Sequence, residues 1–288
     1  MTKPTAPRIV AETLYNGYAQ SFTVKELLFE FKTEHQHLEI IDTPFMGRVM
    51  LLDGIVQTTE RDEFIYHEMM VHVPLFAHPD PKRVLIIGGG DGGILREVLR
   101  HKNIEHVTQV EIDQSVIDMC KTYFPKHSNG AFDDPRANIV IADGKDFVAS
   151  CNDTFDVIIA DSTDPIGPGE VLFTSDFYAD EKTCLAPGGI MVAQNGVPFM
   201  QGDEVTNTFK RLTPLYQDVS FYVAAVPTYA GGVMALAWAS DDTTLRQQNV
   251  STIQQRVEAA GFKTRYYNAE VHVAAFALPT FVRDLLHT

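Results

Sequence analysis

The chain has 288 residues, 45% of them hydrophobic, and a formal net charge of −15 at pH 7. That length suits one large domain, alone or with a small one, and so acidic a surface repels phosphate backbones, which excludes nucleic acid as a partner. Three cysteines, Cys120, Cys151 and Cys184, stand far apart with no CxxC pair; neither a disulfide framework nor a zinc knuckle is expected, and a reducing, cytoplasmic setting fits.

Met1 to Val10 carries Lys3 and Arg8 but no apolar centre, so no signal peptide is expected there. The first sixty or so residues read as a small β unit. Phe22 to Phe31 alternates loosely, Leu38 to Ile41 is strand-like, and Arg48 to Leu52 leads through Asp53-Gly54 into Ile55 to Thr58, a strong hairpin signal. Thr59-x-x-Asp62 predicts a helix start of the capping-box kind, and the helix carries Phe64, Ile65, Met69 and Val73 before stopping near Pro74. Residues 1–62 are therefore expected to form an N-terminal β-strand and hairpin domain, and 63–288 a catalytic domain. His67-Glu-Met-Met-Val-His72 has its histidines one residue too far apart for a zincin helix, and no metal is expected. His78 to Pro81 reads as a linker.

From Arg83 onward strands and helices alternate. Val84 to Ile87 is a strand ending in glycines, Ile94 to Arg100 a helix, Val107 to Ile112 a strand, Ser115 to Tyr123 a helix and Ile139 to Ala142 a strand. Phe155 to Ala160 is the fourth strand, Phe173 to Leu185 a helix ending before Pro187-Gly-Gly, and Ile190 to Ala193 the fifth strand. This pattern predicts an α/β fold with a parallel sheet covered by helices on both faces. Residues 219–240 carry no charge, but Pro227 to Gly232 divides them, so two buried strands are expected rather than a membrane span. A helix is expected from Leu245 to Ala260.

The chemistry is concentrated at the carboxyl ends of these strands, where open α/β sheets bind ligands. Gly88-Gly-Gly-Asp-Gly-Gly93 has the spacing of a dinucleotide loop, yet Asp91 lies where a pyrophosphate would meet the helix N-terminus. A carboxylate there repels phosphate and welcomes a cation. Glu111, 20 residues beyond Asp91, suits a ribose ligand, with Asp113 as the alternative or as a helix cap. Asp143-Gly144 either receives an adenine amino group or forms a plain turn. Asp161 and Asp164 lie on one loop stiffened by Pro165 and Pro168, a pair able to grip a cation and take up a proton. Together these describe an adenosine site beside a sulfonium, and by the sign of charge Asp91 favours the decarboxylated form of S-adenosylmethionine over the ordinary one.

Five stretches carry a more specific likeness: Leu52 to Met69, Gly88 to Gly93, Val110 to Asp113, Asp161 to Pro168 and Val226 to Tyr229. With them the chain resembles the polyamine aminopropyltransferases, the bacterial spermidine synthases most closely, over nearly its whole length. The resemblance implies a Rossmann-like, methyltransferase-type doubly wound sheet preceded by a small N-terminal β domain, as a homodimer. It implies transfer of an aminopropyl group from decarboxylated S-adenosylmethionine, a co-substrate rather than a cofactor, to putrescine, giving spermidine and methylthioadenosine. Asp161 matches the family's general base and Asp164 the partner that grips the diamine. Gln36, Asp91, Glu111, Asp143, Gly144 and Pro168 fall at nucleoside positions; Tyr66, His67, Asp91, Gln194 and Tyr229 fall around the amine. His67 departs from the Gln common in the family. The competing readings are an S-adenosylmethionine-dependent putrescine N-methyltransferase, a nicotinamide oxidoreductase resting on glycine spacing alone, and a polyamine-binding sensor without turnover.

Overall fold

The computed structural model describes residues 8–32, 36–162 and 171–287. The chain opens with a hairpin that the sequence reading did not separate out. Strands β1 (Arg8–Tyr15) and β2 (Tyr18–Val24) pair antiparallel about Asn16-Gly17, with Gly17 at φ 77°. Phe22 to Phe31 is not one run. It breaks at Lys25, whose N–H donates to the Asp42 carbonyl, and β3 (Glu26–Lys32) passes into a second sheet. The break lets Phe22 and Val24 bury against β2's neighbours while β3 turns Leu28 and Phe29 to a different cluster. That sheet has the order β3-β4-β5-β6, with β4 (His37–Thr43), β5 (Gly47–Leu52) and β6 (Ile55–Thr59). Asp53 and Gly54 join its last two strands with φ 50° and 80°, the positive pair that a two-residue hairpin requires.

Helix α1 (Glu63–Ala77) begins three residues later than the capping-box reading and runs through Pro74 instead of stopping there. Thr59 still ends β6. Its hydroxyl donates to Asp62 Oδ1 (2.6 Å), while Asp62 Oδ2 accepts from the Thr228 N–H (2.8 Å) and hydroxyl (2.5 Å), so the carboxylate fastens a distant loop rather than capping the helix. Every residue from Ile65 to Ala77 is buried, and packing on all sides holds the helix past its proline.

The rest follows the predicted alternation: β7 (Arg83–Gly88), α2 (Gly93–Leu99), β8 (His106–Glu111), α3 (Gln114–Tyr123), α4 (Pro125–Ser128), β9 (Ala137–Ile141), α5 (Gly144–Ser150), β10 (Phe155–Asp161), α6 (Ser175–Cys184), β11 (Leu185–Gln194), α7 (Gly202–Leu212), β12 (Asp218–Ala224) and β13 (Met234–Ser240). The described strands form one sheet of order β12-β13-β11-β10-β7-β8-β9. β11, β10, β7, β8 and β9 are parallel, and β13 runs antiparallel to both β11 and β12. Alternate residues of β7 serve opposite faces: Val84 and Ile86 pack with α1 and α2, Leu85 and Ile87 with Phe177 and Tyr178 of α6. This is the doubly wound α/β arrangement, and its order reverses at β7, which opens a crevice beyond the strand ends.

Two further boundaries differ from the sequence reading. β11 starts at Leu185, directly after α6, and runs through Pro187-Gly-Gly with its register to β10 shifting between Phe155 and Val157. Residues 245–260 are not one helix: a 3-10 turn at Leu245–Gln247 precedes α8 (Val250–Ala260), whose N-cap Asn249 accepts from the Thr252 N–H. Helices α9 (Ala269–Ala275) and α10 (Thr280–Leu285) finish the chain. Residues 219–240 are indeed β12 and β13 about a loop, and among the described residues no helix is long and apolar enough to cross a membrane.

Glu68 of α1 ties this C-terminal region to the sheet. Its buried carboxylate accepts the backbone N–H groups of Arg265, Tyr266 and Tyr267 at 2.8 to 3.1 Å. Glu68→Ala strands those three donors and is expected to cost about 3 kcal/mol, read as a lower urea midpoint with an unchanged slope.

Candidate active site

A cavity of about 240 Å³ lies at the carboxyl ends of β7, β8, β10 and β11, closed on the other side by the N-terminal strands. Gln36, Glu111, Asp143 and Gly144 line one part of it. Tyr66, His67, Asp91, Asp161, Gln194 and Tyr229 line the same cavity. The structure thus brings these ten residues together; Asp113, the alternative ribose ligand, does not line the cavity, and Asp164 and Pro168 fall outside the described residues.

The glycine loop owes its shape to close approaches. Gly88 has φ +83°, and a Cβ there would lie 2.0 Å from the Asp161 carbonyl oxygen, so the ends of β7 and β10 meet only because the position is glycine. A Cβ on Gly90 would lie 2.7 Å from Glu111 Oε2. Asp91 turns back onto the loop: Oδ1 accepts from the Gly93 N–H (2.8 Å), and Oδ2 lies 3.2 Å from His67 Nε2. The protein's own carboxylate therefore occupies the place of a pyrophosphate. Burial pushes the Asp91 carboxyl up, but the facing His67 outweighs it and holds the group well below the usual carboxylate range. Burial likewise opposes charge on His67, yet Asp91 and Glu63 on either side push it up to about 10.

On the nucleoside side, Glu111 is pushed up to about 7 by burial and by the charges of Asp113 and Asp161, against the Asp113 N–H that donates to its Oε1 (3.0 Å). Asp113 serves as a cap. Its Oδ1 accepts the N–H and hydroxyl of Ser115 (2.9 and 2.6 Å) at the start of α3, and its Oδ2 accepts from Gln36 Nε2 (3.2 Å). Asp143 Oδ1 caps α5 through the Lys145 N–H (2.8 Å). Beside it the Gly144 backbone crowds β7, where a Cβ would lie 2.5 Å from Ile87 Cγ2.

On the opposite side, Tyr66 Oη donates to Asp161 Oδ1 (2.5 Å). Burial pushes the Asp161 carboxyl up to about 6; the tyrosine bond restrains that rise and the Asp91 charge adds to it. Tyr229 stands edge-on to Tyr66, ring centroids 5.7 Å apart, and donates its hydroxyl to the Gln57 carbonyl (2.6 Å). Gln194 at the end of β11 is held through Oε1 by the Gly196 N–H (2.8 Å).

Sequence reasoning missed the wall supplied by the first hairpin. Glu12 is buried in it, accepting from the Val56 N–H (3.0 Å) and from Gln20, its cross-strand partner. Gln20 also donates to the Thr228 carbonyl (2.8 Å), and Tyr15 Oη to Gln201 (3.1 Å). The available signal was Asn16-Gly17, a two-residue turn between β-rich runs; the pairing of Glu12 with Gln20 depends further on a register shift between Glu12 and Tyr15, which the turn alone does not give.

Residues 63–252 match the family model of the spermine/spermidine synthase domain, and residues 9–60 that of the spermidine synthase tetramerisation domain. The chain belongs to the spermine/spermidine synthase family, a family of transferases. It is 59% identical to polyamine aminopropyltransferase 1 of Pseudomonas aeruginosa over 94% of this chain and 95% of that one. It is 56% identical to a polyamine aminopropyltransferase of Serratia proteamaculans over 98% and 99%. Among solved structures it is similar to a spermidine synthase in complex with the transition-state analogue AdoDATO, with TM-score 0.92 and 38% identity over 100% and 98% of the two chains. The spermidine synthase of Thermotoga maritima gives 0.88 and 36% over the same shares.

Gly88→Ala sets a methyl group against the Asp161 carbonyl at positive φ. It is expected to destabilise the chain by about 3 kcal/mol, measured by thermal unfolding, because the strand ends must part to admit it.

Proposed function

We propose that this chain is a polyamine aminopropyltransferase acting as a spermidine synthase, moving the aminopropyl group of decarboxylated S-adenosylmethionine to putrescine. The observation that carries the reading is a buried carboxylate of raised pKa, Asp161, sharing one cavity with Asp91, which the facing His67 holds well below the usual carboxylate range. The two acids suit different tasks. Asp91, whose carboxylate form its histidine partner favours, holds the donor's ammonium. Asp161, poised near neutrality, takes a proton. Glu111, with Gln36 and Asp113 behind it, receives the ribose hydroxyls, and the Asp143-Gly144 turn the adenine edge.

The reaction is a displacement. An amine nitrogen gives its lone pair to the carbon next to the sulfonium; the carbon–sulfur bond breaks and its electron pair neutralises the sulfur, releasing methylthioadenosine. The nucleophile has an amine pKa of about 10.4 in water and enters protonated. Its proton passes to Asp161, whose orientation Tyr66 sets. Tyr229 and Gln194 wall the amine's path, and Glu12 places a further carboxylate in the hairpin side of the cavity, suited to a diamine's distal ammonium. Asp164 belongs to this proposal as a second grip on the diamine. The chain acts as an oligomer, at least a homodimer, in a cytoplasmic setting; the match of residues 9–60 to a tetramerisation domain supports association through the N-terminal strands.

The deciding experiment incubates the protein with decarboxylated or ordinary S-adenosylmethionine and putrescine. Spermidine and methylthioadenosine from the first are expected; methylated putrescine from the second overturns the reading. Asp161→Asn is expected to lower kcat by about 10²–10⁴ while methylthioadenosine still binds. Because the Asp161 carboxylate is the active form and its pKa is about 6, kcat is expected to fall as pH drops through that value. Tyr66→Phe removes a donor to the carboxylate and is expected to move this acid limb upward by about one pH unit; an unmoved limb removes Asp161 as the titrating group.

A further inference from the structure

His67 lines the cavity, but both its ring nitrogens are spent inside the protein. Nδ1 lies 2.6 Å from Glu63 Oε2, one helical turn back on α1, and Nε2 lies 3.2 Å from Asp91 Oδ2. A neutral imidazole has one N–H and one lone pair. Between two carboxylates, that lone pair would face an acceptor on one side or the other. Only the doubly protonated ring satisfies both. The charges around it alternate in sign: Arg96 of α2 donates to Glu63 Oε2 (2.9 Å) and, through Nε, to Glu97 Oε1 (2.8 Å).

The ring is also fixed sterically. A Cβ on Gly93 would come within 2.2 Å of His67 Cε1, so the imidazole lies flat on the glycine that opens α2. His127 of α4 meets it edge-on, centroids 6.1 Å apart, and spends its own Nε2 on the Thr58 hydroxyl (3.0 Å). The remaining titratable neighbours are Tyr66 on the same helix and, beyond it, Asp161. Burial lowers the His127 pKa, whereas His67 is pushed up to about 10.

Resting on the aminopropyl-transfer reading above, we infer that His67 is a positioning residue: an imidazolium strut, braced by Glu63 and Arg96, that fixes the Asp91 carboxylate in the wall of the donor's ammonium site. The Gly93 N–H holds one oxygen of Asp91 and the strut the other, so the carboxylate presents its outer lone pairs to the cavity in one orientation. His67 itself has no nitrogen left for the amine. Gly93, the last glycine of the loop, then has a purpose in this chain unrelated to phosphate: it makes room for the ring.

Two measurements test this. In wild-type protein labelled with ¹⁵N-histidine, the His67 ring, assigned by loss of its signals in His67→Gln, is expected to stay doubly protonated from about pH 6 to about pH 9. A neutral ring at pH 7 overturns the strut, and this measurement needs neither turnover nor a disruptive variant. Kinetically, His67→Leu is expected to raise the KM for the decarboxylated donor about tenfold, with the affinity for methylthioadenosine, which lacks the ammonium, changed less than about twofold. His67→Gln, whose amide reaches as far as Nε2 and donates to Asp91, is expected to restore most of the donor KM. Equal loss of both ligands in the Leu variant, or a Gln variant as impaired as Leu, shows a merely structural residue and overturns the proposal. Absence of aminopropyl transfer by the wild type instead overturns the functional reading, and the ring's protonation still decides the strut.

Discussion

The backbone contact between Gly88 and Asp161 is the constraint on which the cavity depends. The carboxyl ends of two neighbouring parallel strands approach until a single Cβ would lie 2.0 Å from a carbonyl oxygen. That approach sets the glycine loop, with Asp91, against the end of β10, with Asp161. Without it the two acids would sit on separate loops over a wider crevice. With it they face one cavity of about 240 Å³.

Within this volume three buried acids differ through their donors rather than their burial. Asp91 has a backbone N–H and a facing histidine and is held charged. Asp161 has one tyrosine hydroxyl and rises to about 6. Glu111 has backbone N–H groups but feels Asp113 and Asp161, and rises to about 7. Environments that push the pKa values of like groups apart allow one cavity to hold a cation with one acid and accept a proton with another. Asp91 is compensated by its donors, and Asp161 is left short of them.

Much of this was legible in the sequence because it is local. Glycines at fixed spacing after an apolar run, an acid closing each strand, and a strand–helix rhythm are all visible in a window of a few residues. The elements misread were those settled by distant partners. Thr59-x-x-Asp62 has the form of a helix start, but Asp62 is claimed by Thr228, from the far end of the chain, and α1 begins later. Phe22 to Phe31 alternates as one strand would, yet Phe22 and Val24 pack with Ile41, Val49 and Leu51 while Leu28 and Phe29 join a separate cluster with Leu38, Ile40 and Phe124. Leu245 to Ala260 has helical composition throughout, and only Asn249, a good cap in mid-run, shows where the helix proper starts. Of the histidine's contacts, Glu63 at i−4 was open to inspection, whereas Asp91 enters only through the fold. His67 and His72, whose spacing fits no zincin helix, serve two unrelated sites: His72 is enclosed by His101 and Glu97.

Helix α1 shows why the region is rigid enough for this chemistry. Successive residues on a helix point about 100° apart, so Tyr66 and His67 leave the same turn toward different loops, one to Asp161 and one to Asp91. The acid pair is thus joined twice, once through the backbone contact of β7 and β10 and once through this turn. Glu68, the next residue, points a further step round and grips the segment at 265–267. Three consecutive polar side chains in a buried helix would each carry a desolvation cost if unpaired. Each is instead satisfied by a different part of the chain, which makes the helix the fixed element against which the glycine loop, the end of β10 and the C-terminal region are all registered.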